Sequence, residues 1–130
     1  MQWEQKVWGE AWHVFQSDHA AMSYLKLKKG FRCSRHYHRH RINMFAVVSG
    51  EVLIEEWWDG VAKAETVLRA GESHTVQVGV EHRFRVVQDG QMIEVYWPRY
   101  DNDVVQIDDI VRFDEGGPDV DPVGDLPLDV

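Results

Sequence analysis

A single cysteine, Cys33, stands in 130 residues, which excludes an intrachain disulfide and agrees with a reducing compartment. No run of 18 apolar residues occurs, so no spanning helix of ordinary length is encoded. The opening Met1-Gln2-Trp3-Glu4-Gln5-Lys6 has neither the basic nor the apolar segment of a secretory signal. Cytoplasmic residence is the expectation. There is little sign of a long helix, no internal repeat and no interdomain linker, and the length suits one domain. Basic charge is not in excess: the net charge is −8 and no nucleic-acid-binding motif occurs, so nucleic acid is not an expected partner, nor is a membrane.

The charge that is present is unevenly placed. Residues 1–100 carry 13 basic and 12 acidic side chains, whereas residues 101–130 carry one and ten. From Asp114 onward Gly116, Gly117, Pro118, Pro122, Gly124 and Pro127 punctuate a stretch with almost no apolar pattern. The expected organisation is a barrel with an N-terminal strand over 1–113 and an acidic, Pro/Gly-rich tail over 114–130. The opposite bias lies between Lys26 and Arg41, where Lys28, Lys29, Arg32, Arg35 and Arg39 also occur with no acidic residue among them. A small anionic substrate explains such a field, although strand parity sends Arg35, Tyr37 and Arg39 away from His36 and His38, onto an outer face.

Hydrophobic residues make up 44% of the chain, with six Trp, five Phe and four Tyr, enough for one core. Short runs rich in β-branched and aromatic residues predict strands over 22–28, 34–38, 44–48, 52–57, 64–68, 74–78, 82–87 and 92–97. Ser49-Gly50, Asp59-Gly60, Ala70-Gly71 and Asp89-Gly90 read as turns between them. The pattern is all-β, a sandwich or barrel. Cys33 has the opposite parity to His36 and reads as a small buried hydrophobe. Trp3, Trp8 and Trp12 are placed to cover an exposed strand edge, as in a homodimer.

Into this pattern falls Gly30-x5-His36-x-His38-x4-Asn43-x6-Gly50, followed by Gly71-x5-Gln77-x-Gly79-x2-His82. Two histidines two apart on a strand share a face, with Cα atoms about 6.6 Å apart. Both rings can then converge on one ion about 2.1 Å away. His82 opens a later strand-like run, as required if a second hairpin completes the cage. The spacing resembles that of the cupins, single-domain jelly-roll barrels built as a double-stranded β-helix. His36, His38, Asn43 and His82 are the expected ligands of a divalent ion, and imidazole suits Zn, Fe, Mn, Co and Ni alike. His40 and His74 have no assigned role.

More specifically, the chain resembles the cupin domain of type II phosphomannose isomerases, which ordinarily follows a mannose-1-phosphate guanylyltransferase. The resemblance rests on Lys6-Val7-Trp8-Gly9, the histidine strand, Val47-Val48-Ser49-Gly50, Gly71-Glu72-Ser73, His82-Arg83, Ile93-Glu94-Val95 and Asp108-Asp109-Ile110-Val111-Arg112-Phe113-Asp114. It implies aldose–ketose interconversion of a hexose phosphate through an enediol. Glu94 would shuttle the proton, and Arg41 and Arg112 would hold the phosphate. The sequence has no guanylyltransferase half, so nucleotide-sugar synthesis is not expected.

Asn43 stands where that family has glutamate, and an amide is a weaker ligand than a carboxylate. His36 replaces glutamine, Gln77 and Val86 replace proline and asparagine, and Glu115-Gly116-Gly117 replaces a Tyr-Gly-Arg ending. The imidazole-rich set is closer to three-histidine non-haem iron dioxygenases, which makes Fe(II)-dependent oxidation a second expectation. A non-catalytic small-molecule-binding module is a third.

Overall fold

Period-two burial sets the strands of this protein. In the computed structural model, which describes residues 2–100, 104–106 and 108–119, the strand Ala21–Leu27 buries Ala21, Ser23, Leu25 and Leu27 while Lys26 faces out. Among the described residues eleven strands run in order: β1 (Gln2–Lys6), β2 (Gly9–Gln16), β3 (Ala21–Leu27), β4 (Phe31–Arg32), β5 (His36–Tyr37), β6 (Arg41–Trp58), β7 (Ala62–Arg69), β8 (Ser73–Val76), β9 (Glu81–Pro98), β10 (Val111–Arg112) and β11 (Gly117–Pro118). Their pairings are antiparallel and form one curled sheet. Among the described residues no helix is long and apolar enough to cross a membrane.

The long strands β6 and β9 are the frame. They pair with each other from Arg41↔Pro98 to Trp57↔Glu81. On its other edge β9 carries β3, then β4 and β5, while β6 carries β7 and β8. The expected strands 44–48 and 52–57 are thus one element, as are 82–87 and 92–97. Ser49-Gly50 and Asp89-Gly90 are not turns. They lie side by side where the register slips between Val47 and Val52, and the two strands bend there. A Cβ on Gly90 would sit 2.0 Å from the Ser49 carbonyl oxygen, and one on Gly50 would sit 2.5 Å from that of Asp89. Glycine is what lets the backbones approach that closely.

The core is Phe45, Leu25, Ile54, Val52, Met92 and Val76 with their neighbours, all inside the curl. Trp8 belongs to this core, packed edge-on against Phe84 at 5.1 Å, and does not cover an edge as expected. Trp3 and Trp12 do stack at the surface, 5.7 Å apart beside the edge strand β1. The strand expected over 34–38 shrinks to His36–Tyr37, because the Arg35 N–H is taken by the Asp114 carboxylate instead of a sheet partner. Residues 114–119 return to the barrel through Gly117↔Arg32 and Pro118↔Phe31, while 120–130 lie outside the described residues.

Candidate metal centre

Register brings the three histidines together. His36 on β5 is directly opposite His82 on β9, and His38 follows two residues later. All three are buried, and their ring centroids lie 5.0, 4.4 and 5.2 Å apart for His36–His38, His36–His82 and His38–His82. One nitrogen of each lies within 4.8 Å of the others.

The opposite nitrogen of each ring is already committed. His36 Nδ1 is 2.7 Å from the Ser34 carbonyl oxygen, His82 Nδ1 is 2.9 Å from that of Val80, and His38 Nδ1 is 2.6 Å from that of Asp109. A carbonyl only accepts, so each Nδ1 carries the proton and each Nε2 presents a lone pair. The Arg41 Nε–H group, 3.3 Å from His38 Nδ1, therefore acts there as a neighbouring charge. Nε2 of His38 and of His82 is buried with no hydrogen-bond partner.

Orphaned, converging lone pairs are costly in an apolar interior unless an electrophile completes them. Burial pushes all three imidazoles down to about 3, helped by His38 beside His36, by Arg41 beside His38 and by His36 beside His82. They stay neutral, as ligands must. Three neutral imidazoles with backbone-fixed rings fit a divalent metal ion.

Asn43, on β6, is fully buried; neither its Oδ1 nor its Nδ2 makes a hydrogen bond of ordinary length, although its amide lies near enough to Glu94 to favour that carboxylate. A cavity of about 770 Å³ opens beside His36 and is lined by Arg41, Glu94, Tyr96 and Arg112 among others. It brings together the carboxylate and both arginines expected to act on substrate. Burial raises the Glu94 carboxyl, against the opposing pull of Tyr96, Arg41 and Asn43. Its side chain keeps partial accessibility only because it faces the cavity. Arg41 is buried, stacks 3.8 Å from the Tyr96 ring centre and donates to the Gln106 carbonyl at 2.9 Å. Arg112 pairs opposite His36 on β10 and is exposed.

Three features were missed from the sequence. Tyr96 lies two residues beyond Glu94 on one strand face, a parity signal that was available. His13 donates from Nε2 to the Glu4 carboxylate at 2.6 Å and accepts at Nδ1 from the Ser23 hydroxyl at 2.9 Å. These three line the same cavity, but β1 and β2 carry no clear apolar alternation to announce them. Asp109 holds the amides of Arg39 and His40 on its carboxylate at 2.9 and 2.7 Å.

The basic stretch 26–41 is largely not at the cavity. Arg41 alone of its seven cations lines it; Arg35 covers Trp57 and pairs with Glu81, and Arg32 donates to the Pro118 carbonyl. Cys33 is buried and its thiol is pushed up to about 12 by that burial, so it is a hydrophobe here. His74 pairs with the buried Glu56 at 2.6 Å, and His40 lies in the bend before β6, exposed.

The Cupin domain family profile matches residues 23–97. No curated protein matches the sequence. Several solved structures share the fold. Oxalate decarboxylase of Bacillus subtilis has a TM-score of 0.71 at 13% identity over 86% of this chain and 30% of that one. The capsular polysaccharide assembling protein CapF of Staphylococcus aureus has 0.69 at 20% over 85% and 33%. KdgF of a Halomonas species has 0.64 at 18% over 78% and 90%. The chain thus spans about a third of the first two and most of the third. The Bacillus decarboxylase carries Mn(II) centres.

Proposed function

This chain belongs to the cupin domain family, and from that premise we propose that it binds a divalent ion through His36, His38 and His82 and isomerises a small anionic sugar-type ligand in the adjoining cavity. One observation carries the reading: three buried imidazoles with converging Nε2 lone pairs stand in the same interior as an enclosed carboxyl, Glu94. The Mn(II) centres of the similar decarboxylase support a metal but do not choose among Mn, Fe, Zn, Co and Ni.

When bound, a divalent ion supplies Lewis acidity at a ligand oxygen. The chain's own groups supply the rest. Three imidazoles and the amide of Asn43 are neutral donors, so none of the ion's charge would be cancelled, and Arg41 and Arg112 add to it. An anionic ligand is the complement. Glu94, its carboxyl raised by burial, is suited to take a proton from C2 of an aldose and return it to C1. Arg112 at the rim can hold a phosphate, and Ser23 with His13 can meet sugar hydroxyls. Metal-loaded protein should interconvert mannose 6-phosphate and fructose 6-phosphate. Glu94→Gln should lower kcat by about 10²–10⁴-fold with metal content unchanged. Metal-loaded protein that leaves both sugars unchanged would overturn the isomerase reading.

The all-imidazole donor set favours one rival, oxidation of a small acid or diketone with Fe(II). Oxygen uptake with Fe(II) and none with Zn(II) would establish that alternative. We further propose a cytoplasmic homodimer formed through the β1 edge, supported by the exposed Trp3–Trp12 stack. A monomeric mass by light scattering at working concentration would sink it.

A further inference from the structure

The three histidines differ in what holds them. His36 and His82 are oriented locally, each by the carbonyl two residues earlier in its own chain segment, Ser34 and Val80. His38 is oriented by the carbonyl of Asp109, 71 residues away. That carbonyl belongs to the segment 108–119, which reaches the barrel by separate attachments.

At one end the Asp109 carboxylate accepts the Arg39 and His40 amides, clasping the chain immediately after His38. In the middle, β10 pairs with β5, the Phe113 N–H donates to the Arg35 carbonyl at 2.9 Å, and the Asp114 carboxylate accepts the Arg35 amide at 2.6 Å. At the far end β11 pairs with β4, the Asp119 N–H donates to the Gly30 carbonyl at 2.7 Å, and the Asp119 carboxylate meets Arg85. Much of this docking joins carboxylates to backbone amides and to cations of the barrel surface.

We infer that segment 108–119 is a strap that positions His38, with Asp109 as the positioning residue, so that docking of the strap selects between a three-histidine and a two-histidine metal centre. The inference rests on the metal reading above for its consequence, but its physical core is the orientation of one ring. With the strap docked, the Asp109 carbonyl fixes the proton of His38 on Nδ1 and leaves Nε2 free for a ligand. Without it, nothing local replaces that acceptor, whereas His36 and His82 keep theirs. Carboxylates that clasp two backbone amides are strong anchors, because charge-assisted hydrogen bonds are shorter and stronger than neutral ones. Outer contacts of this kind typically change metal affinity 10–100-fold when removed.

The deciding experiment is the nitrogen-15 NMR spectrum of the imidazoles in metal-free protein, compared among wild type, Asp109→Ala, Asp109→Asn and Asp119→Ala. Wild type should show all three rings protonated at Nδ1. In Asp109→Ala the His38 signals should move to a mixture of tautomers while those of His36 and His82 stay unchanged. Asp109→Asn, which keeps one acceptor oxygen for the Arg39 and His40 amides, should recover the wild-type pattern in part. Asp119→Ala, which loosens only the far end, should give a smaller change in the same direction. An unchanged His38 pattern in Asp109→Ala would overturn the proposal, and so would a change of all three rings together, which marks general loosening.

Chelator competition with Zn(II) supplies the second arm. Asp109→Ala should bind the ion about 10–100-fold more weakly than wild type. Wild-type protein that takes up no ion would defeat the metal reading, and the ring tautomers would still decide whether Asp109 positions His38.

Discussion

Asn43 concentrates the residue-scale question. A fully buried amide whose two ends make no close hydrogen bond, with only the Glu94 carboxyl near enough to feel it, destabilises a fold by about 1–3 kcal/mol unless a ligand completes it. Asn43→Leu should therefore stabilise the metal-free protein, by about 1 kcal/mol, while weakening its hold on metal. Thermal melts of chelator-treated protein beside elemental analysis of the loaded form will check both halves. His82→Ala should abolish stoichiometric metal while keeping the far-ultraviolet spectrum of the barrel, since the sheet pairing of β9 is made by its backbone. Parity made His36 and His38 legible in the sequence, and the matching motif made His82 so. The Nδ1 acceptors were not legible: all three are backbone carbonyls, and the one that meets His38 comes from 71 residues away.

At the scale of elements, glycines do two different jobs. Gly71 has φ +87 in a turn with nothing within 4 Å of an added Cβ, so Gly71→Ala should cost only the left-handed backbone penalty, about 1–2 kcal/mol. Gly90 meets the Ser49 backbone at 2.0 Å, so Gly90→Ala must move one long strand against the other. Gly90→Ala should cost about 3 kcal/mol or more, visible as the lower of the two midpoints in urea unfolding. Dipeptides such as Ser49-Gly50 and Asp89-Gly90 look the same in sequence whether they end a strand or bend it. Only the pairing of β6 with β9 through the slip separates the cases. The strands themselves were legible where burial alternates; at the N-terminus one strand was expected without bounds and two are present, β1 and β2, whose residues are mostly exposed or half-buried.

Over the whole molecule, buried neutral imidazoles make the metal-free barrel sensitive to mild acid. His36, His38 and His82 have folded values near 3 against about 6.5 in an unfolded chain. Their contribution is complete above about 6.5 and is lost as pH falls toward 3, by about 1.4 kcal/mol per pH unit for each ring.

Burial would raise Glu55, but hydrogen bonds from Arg83, Lys63 and Arg85 outweigh it and hold the carboxyl down to about 2. Its contribution is present above about 4.5 and is lost only as pH falls toward 2. Melts of metal-free protein should therefore weaken between pH 6.5 and 5, before the carboxylates titrate. Saturating metal at about 100 times its Kd should add about 2.7 kcal/mol and leave that early slope in place, because the folded rings are unprotonated with or without the ion. Flat stability across pH 6.5 to 5 without metal would contradict the burial of the three rings.

The sequence by itself determined an all-β chain, the three imidazoles and the turns at Asp59-Gly60 and Ala70-Gly71, because period-two patterning and backbone freedom are local properties. Tertiary structure alone decided that most of the basic stretch faces outward, that Trp8 is core, and that Glu94, Tyr96 and Arg41 share one interior. It also decided that Asp109 reaches His38. Each of these depends on which strands pair and in what register. That choice is made by burying one common face, a sum over distant residues that no local spacing contains.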